Sequence, residues 1–224
     1  MAVFTVVPVK KLEDSKRRLS TVFTPHERRI LTLAMLEDVL NALNASVVDD
    51  FVVVGEDLEV RCVAEKYGAT YFELKSASLN RSIEEAQLLC IKKGATSLLV
   101  LPADIPLVNA KEINRIIQLA ESGTVAVVLS QSRNGGTNAL YQNPPRLIPA
   151  CFGPGSFLNH IREAYERGVS IRLHFSPQLA ADIDSAEDLT SLFETENNTV
   201  CKRVLQQIID ENSRARSFFT SPQI

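Results

Sequence analysis

The chain has 224 residues, 45% of them hydrophobic and 23% charged, with a formal net charge of −3 and no tryptophan. That size predicts one domain with a substantial core. The lack of a basic excess speaks against a nucleic-acid partner, and no apolar run approaches the ~20 residues of a membrane span. Cys62, Cys90, Cys151 and Cys201 stand apart with no Cys-x-x-Cys pair, as expected of reduced thiols in a cytoplasmic protein rather than of a disulfide framework or a zinc site.

In chain order, Ala2-Val3-Phe4-Thr5-Val6-Val7-Pro8-Val9 lacks the layout of a signal peptide and reads as a strand. Similar β-branched runs at 51–54, 70–72, 98–101 and 125–129 predict buried parallel strands alongside residues 3–7. Amphipathic stretches lie between them. Thr24-Pro25-His26-Glu27 is a capping box with proline at the first helical position, opening a helix that reaches about Leu43. Further helices are expected at 58–67, at 82–93 with Ser82 and Glu85 at capping-box spacing, and at 110–121. Gly68, Gly94 and Gly123 fall just past helices, where a left-handed cap is wanted. After Leu129 the pattern loosens: a polar stretch at 131–137, a short strand at 138–141, a turn at Asn143-Pro144-Pro145, and Phe152-Gly153-Pro154-Gly155-Ser156 leading into a helix to about Arg167. A half-buried strand at 170–175, a helix starting at Ser185 and a last helix at 199–209 complete a single domain over 1–211. Residues 212–224 read as a frayed tail. Strand and helix alternating at this spacing predict an α/β fold, an open, mostly parallel sheet with helices on both faces.

The residues that could carry chemistry cluster at strand ends. Asp104 lies in Pro102-Ala103-Asp104-Ile105-Pro106, directly after an apolar strand, and the prolines hold the carboxylate near the strand tip. Asp182-Ile183-Asp184 places two more carboxylates on one face of an extended segment. Oxygen ligands of this kind hold hard divalent cations, which in turn bind phosphates. Each has a plainer alternative, a turn aspartate for Asp104 and a helix cap for Asp184. Beyond strand one, Lys10, Lys11, Lys16, Arg17 and Arg18 bring five cations within nine residues, either a solvated loop or a counter-charge for a triphosphate. Gly135-Gly136-Thr137-Asn138 and the loop from Gly153 to Ser156 offer backbone N–H groups and hydroxyls to an anion. Asn80 caps a helix or reaches a base. No Walker A loop, Gly-x-Gly-x-x-Gly, His-Glu-x-x-His or Gly-x-Ser-x-Gly occurs, which removes most of the support for a P-loop NTPase, a zincin or an α/β hydrolase.

Taken in order, Val7-Pro8-Val9-Lys10 with Ser15-Lys16-Arg17-Arg18-Leu19, Ser78-Leu79-Asn80, Pro102-Ala103-Asp104-Ile105-Pro106-Leu107, Gly136-Thr137-Asn138-Ala139-Leu140, Phe152-Gly153-Pro154-Gly155-Ser156-Phe157 and Asp182-Ile183-Asp184 resemble the 2-phospho-L-lactate guanylyltransferase family of coenzyme F-420 biosynthesis, across roughly residues 3 to 190. The resemblance implies a nucleotide-diphospho-sugar transferase architecture, Rossmann-like and of the glycosyltransferase-A type. Wider relatives carry a Gly-rich Leu-x-Gly-Gly loop after strand one where this chain has Val-Pro-Val-Lys, which favours the phospholactate branch over molybdopterin and sugar-phosphate enzymes. Within that branch the resemblance implies 2-phospho-L-lactate as the archaeal acceptor and phosphoenolpyruvate as the bacterial one. The expected reaction is transfer of GMP from GTP to 2-phospho-L-lactate with release of pyrophosphate, by a cytoplasmic homodimer using Mg²⁺, or Mn²⁺ in its place. The expected metal ligands are Asp104, Asp182 and Asp184; Lys10, Lys16 and Arg18 neutralise the phosphates. By resemblance, Thr137, Asn138, Gly153 and Ser156 hold the acid, and Asn80, with Lys10 and Lys16, holds the nucleotide. Another acceptor, or a non-catalytic nucleotide sensor on the same fold, remains the alternative.

Overall fold

Val3–Pro8 forms β1, and its side chains alternate between two apolar layers: Val3 and Val7 face one core, Phe4 and Val6 the other. A strand with no polar face belongs inside a sheet covered on both sides. The computed structural model describes residues 1–74, 78–121, 127–196 and 198–220. β2 (Asp50–Gly55) and β3 (Thr70–Glu73) pair in parallel on one side of β1, and β4 (Ser97–Val100) pairs in parallel on the other. The seven strands are ordered β3-β2-β1-β4-β6-β5-β7, with β5 at Val127–Gln131, β6 at Thr137–Gln142 and β7 at Ile171–Leu173. β6 alone runs against the rest, between β4 and β5. The sheet is open, mixed and mostly parallel.

One face is covered by α1 (Pro25–Asn44), α2 (Leu58–Lys66) and α4 (Ala110–Glu121), the other by α3 (Leu79–Lys92) and α5 (Ser156–Glu166). α1 starts as the sequence predicts: Glu27 N–H donates to Thr24 Oγ1 and Thr24 N–H to Glu27 Oε2, at 3.3 and 2.7 Å. The helix is apolar on opposite sides. Leu36, Val39, Leu40 and Leu43 pack on the sheet, while Leu31, Ala34 and Met35 face a third layer of α7 (Ala186–Glu194), α8 (Val200–Glu211) and α9 (Ser213–Thr220). A helix apolar all round is one buried between two layers. Asp38, on α1, ties the layers together by accepting the N–H groups of Val200 and Cys201 at 2.7 and 2.8 Å. A carboxylate at a helix N-terminus meets the unpaired donors and the positive end of the dipole.

Several boundaries differ from the sequence reading. α3 begins at Leu79, with Ser78 in the cap position; Ser82 is buried inside the helix, and its hydroxyl donates back to Ser78 O at 3.2 Å. Leu79 packs against the core and extends the helix one turn upstream. Residues 213–220, read as frayed, form α9: Ala215 is buried and Phe219 meets Phe23 and Phe193 at ring-centroid distances of 6.4 and 6.1 Å. The short α6 (Pro177–Ala180) and a 3₁₀ turn at Arg17–Thr21 were not predicted. Gly68 and Gly94 take the expected positive φ of 78° and 102°; Gly123 and the first two residues of the strand expected at 125–129 lie outside the described residues. All four cysteines are free. Among the described residues, no helix is long and apolar enough to cross a membrane.

Candidate active site

The chain leaves β1 toward β2 and β3 on one side and returns through β4 to β6, β5 and β7 on the other. A crevice opens beyond the carboxyl ends of two such strands, and ligands bind in open α/β sheets at this switch point. Here it is a cavity of about 520 Å³. Its walls come from the ends of β1 and β4, the turn between β5 and β6, the loop before α5, and the segment before α7.

Asp104 follows β4, and its backbone carbonyl accepts the N–H of Ile183 at 2.9 Å. That bond sets the Asp182-Ile183-Asp184 segment beside Asp104. Ile183 is buried in the third-layer core, so Asp182 and Asp184 both turn to the cavity, as their alternation predicts. Asp184 does not cap α7. Ser185 does, in a capping box with Asp188, which leaves the Asp184 carboxylate free for the cavity.

What stands between these carboxylates is an ammonium. Lys16 Nζ lies 2.7 Å from Asp104 Oδ2 and 3.0 Å from Asp184 Oδ1, and its side chain is only 6% exposed. Burial works against its charge, but the two carboxylates outweigh that and hold its pKa above the ordinary lysine value. Asp184, despite burial that would raise it, is held below the ordinary carboxylate value by Lys16, with Lys10 and Arg18 adding to the effect. Asp182 goes the other way: burial and the Asp104 charge raise it. Lys16 reaches this position from a backbone at φ 53°, a left-handed conformation that costs a non-glycine residue roughly 1–2 kcal/mol. The loop behind it is anchored by Arg28 Nη1 donating to Ser15 O at 2.8 Å and by the Ser15–Thr32 hydroxyl pair at 3.0 Å.

Of the five loop cations, Lys10, Lys16, Arg17 and Arg18 line the cavity. Lys11 pairs instead with Glu13 at 3.5 Å, and the Arg17 guanidinium is engaged by Asp14. Among the described residues, no three His, Cys, Asp or Glu side chains are gathered around one metal position. The expected trio is together in the cavity, but Lys16 holds two of its members and Asn138 the third.

The remaining expected residues divide. Thr137, Gly153 and Ser156 line the cavity, with Gly153 at φ 136° where only glycine is comfortable. Asn138 lines it too, but its amide donates to Leu179 O at 2.7 Å and to Asp182 Oδ1 at 3.3 Å, so it orients a carboxylate. The register slips by one between β5 and β6, where Ser130 faces Ala139 and Gln131 faces Thr137. This bulge lets the adjacent Thr137 and Asn138 both reach the site, a common use of bulges. Asn80 is not among the residues lining the cavity. Its Oδ1 accepts Phe152 N–H at 2.8 Å and its Nδ2 donates to Phe152 O at 3.0 Å, so both ends of the amide hold the loop that carries Gly153. Sequence reasoning missed His160, fully buried on α5 and 2.9 Å from Thr137 Oγ1. The available signal was its spacing of four from Ser156, which puts both side chains on one helix face.

Comparison with known proteins places the chain in a family. Residues 3–217 match the family model described as Guanylyl transferase CofC like. The phosphoenolpyruvate guanylyltransferase of Rubrobacter xylanophilus is 40% identical over 86% of this chain and 94% of its own length. The 2-phospho-L-lactate guanylyltransferase of Methanocaldococcus jannaschii is 32% identical over 91% and 88%. A solved structure from Desulfovibrio desulfuricans G20, classed among nucleotide-diphospho-sugar transferases, superposes with a TM-score of 0.77 at 14% identity, covering 97% of this chain and 99% of that one; at that identity the likeness speaks to fold alone. The chain belongs to the CofC-like guanylyl transferase family.

Proposed function

We propose that this guanylyltransferase moves GMP from GTP to a small phosphorylated carboxylic acid, phosphoenolpyruvate in the first reading and 2-phospho-L-lactate in the second. An oxygen of the acceptor phosphate attacks the α-phosphorus, the bond to the β-phosphate oxygen breaks, and pyrophosphate leaves. The observation that carries this reading is the three-sided cavity: an acidic wall of Asp104, Asp182 and Asp184 with the Lys16 ammonium set into it, a basic rim of Lys10 and Arg18, and a hydroxyl floor of Thr137 and Ser156. A phosphate dianion is already a nucleophile, so the barrier lies in bringing anions together, and the rim cations oppose it. Thr137, Ser156 and the Gly153 backbone suit the carboxylate and phosphate of the acid. Phosphoenolpyruvate takes first place because the relative of that name reaches 40% identity, against 32% for the 2-phospho-L-lactate enzyme.

The three aspartates fit a hard cation by their donor chemistry: all are carboxylates, and the negative charge of Asp104 helps push the Asp182 pKa up. Mg²⁺ or Mn²⁺ bound there would supply Lewis-acid stabilisation of phosphoryl oxygens. Lys16 would then have to yield its carboxylates, and its ammonium would become available to the triphosphate.

The test is to incubate the purified protein with GTP, MgCl₂ and each of phosphoenolpyruvate, 2-phospho-L-lactate and a sugar phosphate, reading pyrophosphate release and the mass of the product. Pyrophosphate with phosphoenolpyruvate supports the first reading, and release with 2-phospho-L-lactate alone installs the second. Release with the sugar phosphate only, or with none, overturns both.

A further inference from the structure

Beneath the Thr137–Ser156 floor lies His160, a polar group that the transfer chemistry does not use. His160 is 0% exposed, Ser156 1% and Thr137 5%. His160 Nδ1 is 2.9 Å from Thr137 Oγ1, and Ser156 Oγ is 3.2 Å from the same oxygen. On the other side of the ring, Nε2 is 2.9 Å from the backbone nitrogen of Cys151. A backbone N–H can only donate, so Nε2 must present its lone pair, and a neutral imidazole with Nε2 bare carries its proton on Nδ1. Burial keeps the ring neutral by pushing its pKa down to about 4.

The tautomer decides how many hydrogens the floor offers a ligand. Thr137 and Ser156 have one hydroxyl hydrogen each. With Nδ1 as donor, the Thr137–His160 bond uses the ring hydrogen and the Ser156–Thr137 bond uses one hydroxyl hydrogen, leaving one hydroxyl hydrogen for the cavity. With Nδ1 as acceptor, both hydroxyl hydrogens would be consumed inside the chain and the floor would offer lone pairs alone. Lone pairs facing a carboxylate or phosphate repel it; a hydroxyl donor binds it.

We propose that His160 is a positioning residue for the acid-binding end of the site: held by Cys151 N–H as its Nδ1–H tautomer, it makes the Thr137–Ser156 pair a net hydrogen-bond donor, selective for an anionic oxygen group. The same contact fixes Cys151, next to the Phe152 backbone that Asn80 grips, so His160 also sets the loop that presents Gly153. This deepens the acid site under Proposed function and rests on that reading.

Two measurements test it. In protein labelled with ¹⁵N at histidine, long-range imidazole correlation spectra between pH 5.5 and 8 should show His160 neutral with the proton on Nδ1; a proton on Nε2 overturns the proposal whether or not the enzyme turns over. The second compares two substitutions with phosphoenolpyruvate and 2-phospho-L-lactate. His160→Asn places an amide N–H near Nδ1 and preserves donation to Thr137, whereas His160→Gln reaches toward Cys151 N–H and loses that donor. His160→Gln should raise KM for the acid about tenfold or more, the scale of one hydrogen bond to a charged group, with KM for GTP within about twofold. His160→Asn should rescue most of the loss. Equal losses in both variants, or a matching rise in KM for GTP, would mark a merely structural role and refute the assignment. Should neither variant fold, the wild-type spectrum decides. A wild-type enzyme that uses neither acid sinks the function while the spectrum still judges the tautomer.

Discussion

Replacing Lys16 with Met removes an ammonium from between two carboxylates while keeping an unbranched side chain of similar length. Each contact, at 2.7 and 3.0 Å, carries ~6 kcal/mol of attraction at an effective dielectric of about 20. Desolvation of the buried ammonium offsets much of that, and breaking such a pair costs about 3–5 kcal/mol when the stranded charge is fully buried. Here the Asp104 and Asp184 side chains are 27% and 39% exposed. Water therefore reaches both, and the net loss falls to roughly 2–3 kcal/mol. For a chain of this length, that lowers Tm by about 4–12 °C in EDTA. If Lys16 competes with a divalent cation for the same carboxylates, its removal repays the displacement cost. Mn²⁺ should then bind Lys16→Met about 30–150-fold tighter than wild type, the equivalent of 2–3 kcal/mol. Mn²⁺ titration followed by electron paramagnetic resonance reads the affinity without turnover, and calorimetric melts with and without Mn²⁺ read the stability. Equal Mn²⁺ affinity in the two proteins would refute the competition, and an unchanged Tm in EDTA would refute the stabilising role of the pair.

The same cavity carries two further predictions and the core a third. Asp104→Asn should lower kcat by about 10²–10³, the scale of losing one aimed electrostatic group; near-normal turnover with unchanged Mg²⁺ dependence would remove Asp104 from the metal assignment. Thr137→Ala should raise KM for the phosphorylated acid by about tenfold and leave that for GTP nearly unchanged, and equal effects on both would place Thr137 away from the acid. Asp38, whose pKa burial pushes up to about 6 from an ordinary 3.8, binds its proton more tightly in the folded state. Its contribution is therefore fully present below pH ~4 and is lost as pH rises through about 6, on the order of 3 kcal/mol in all. The stability of wild type relative to Asp38→Asn, measured by urea unfolding, should fall across that window; a flat difference from pH 4 to 7 would contradict the burial argument.

What the sequence revealed about the fold was whatever its local rules could carry. Thr24, Pro25 and Glu27 specify the start of α1 within four residues, and the structure forms that capping box. The strand runs at 3–7 and 98–101 are apolar on both faces, which requires helices above and below. β6 was harder. Its residues predict a strand, but nothing local says that it enters antiparallel between β4 and β5, a pairing set by partners in β4 about 40 residues away in sequence. α9 failed for the same reason: Phe218 and Phe219 look like an exposed polar tail's stray aromatics until Phe23 and Phe193 are brought beneath them.

The site divides along the same line, between what one segment dictates and what only the assembled fold decides. Asp182 and Asp184 share a face because Ile183 must be buried, and that was legible from three residues. Lys16 was singled out for its charge, but its role as the cation between Asp104 and Asp184 depends on partners 88 and 168 residues away and on a left-handed backbone that no propensity favours at lysine. Asn80 was singled out for the nucleotide, but in the structure its amide is spent on Phe152, 72 residues on. These cases have one physical cause. A charged or amide side chain in a cavity is defined by which hydrogen bonds remain unfilled after folding, and sequence lists donors and acceptors without saying which are spent. Lys16 is spent on carboxylates that a divalent cation would claim, Asn80 on a loop, and His160 on a backbone N–H that fixes its tautomer. Of the donors, those left over, Lys10 and Arg18 at the rim and one hydroxyl hydrogen on the floor, favour anions. A substrate pair with a triphosphate at one end and a phosphorylated acid at the other matches that remainder, and a neutral acceptor would leave the floor donor unpaired.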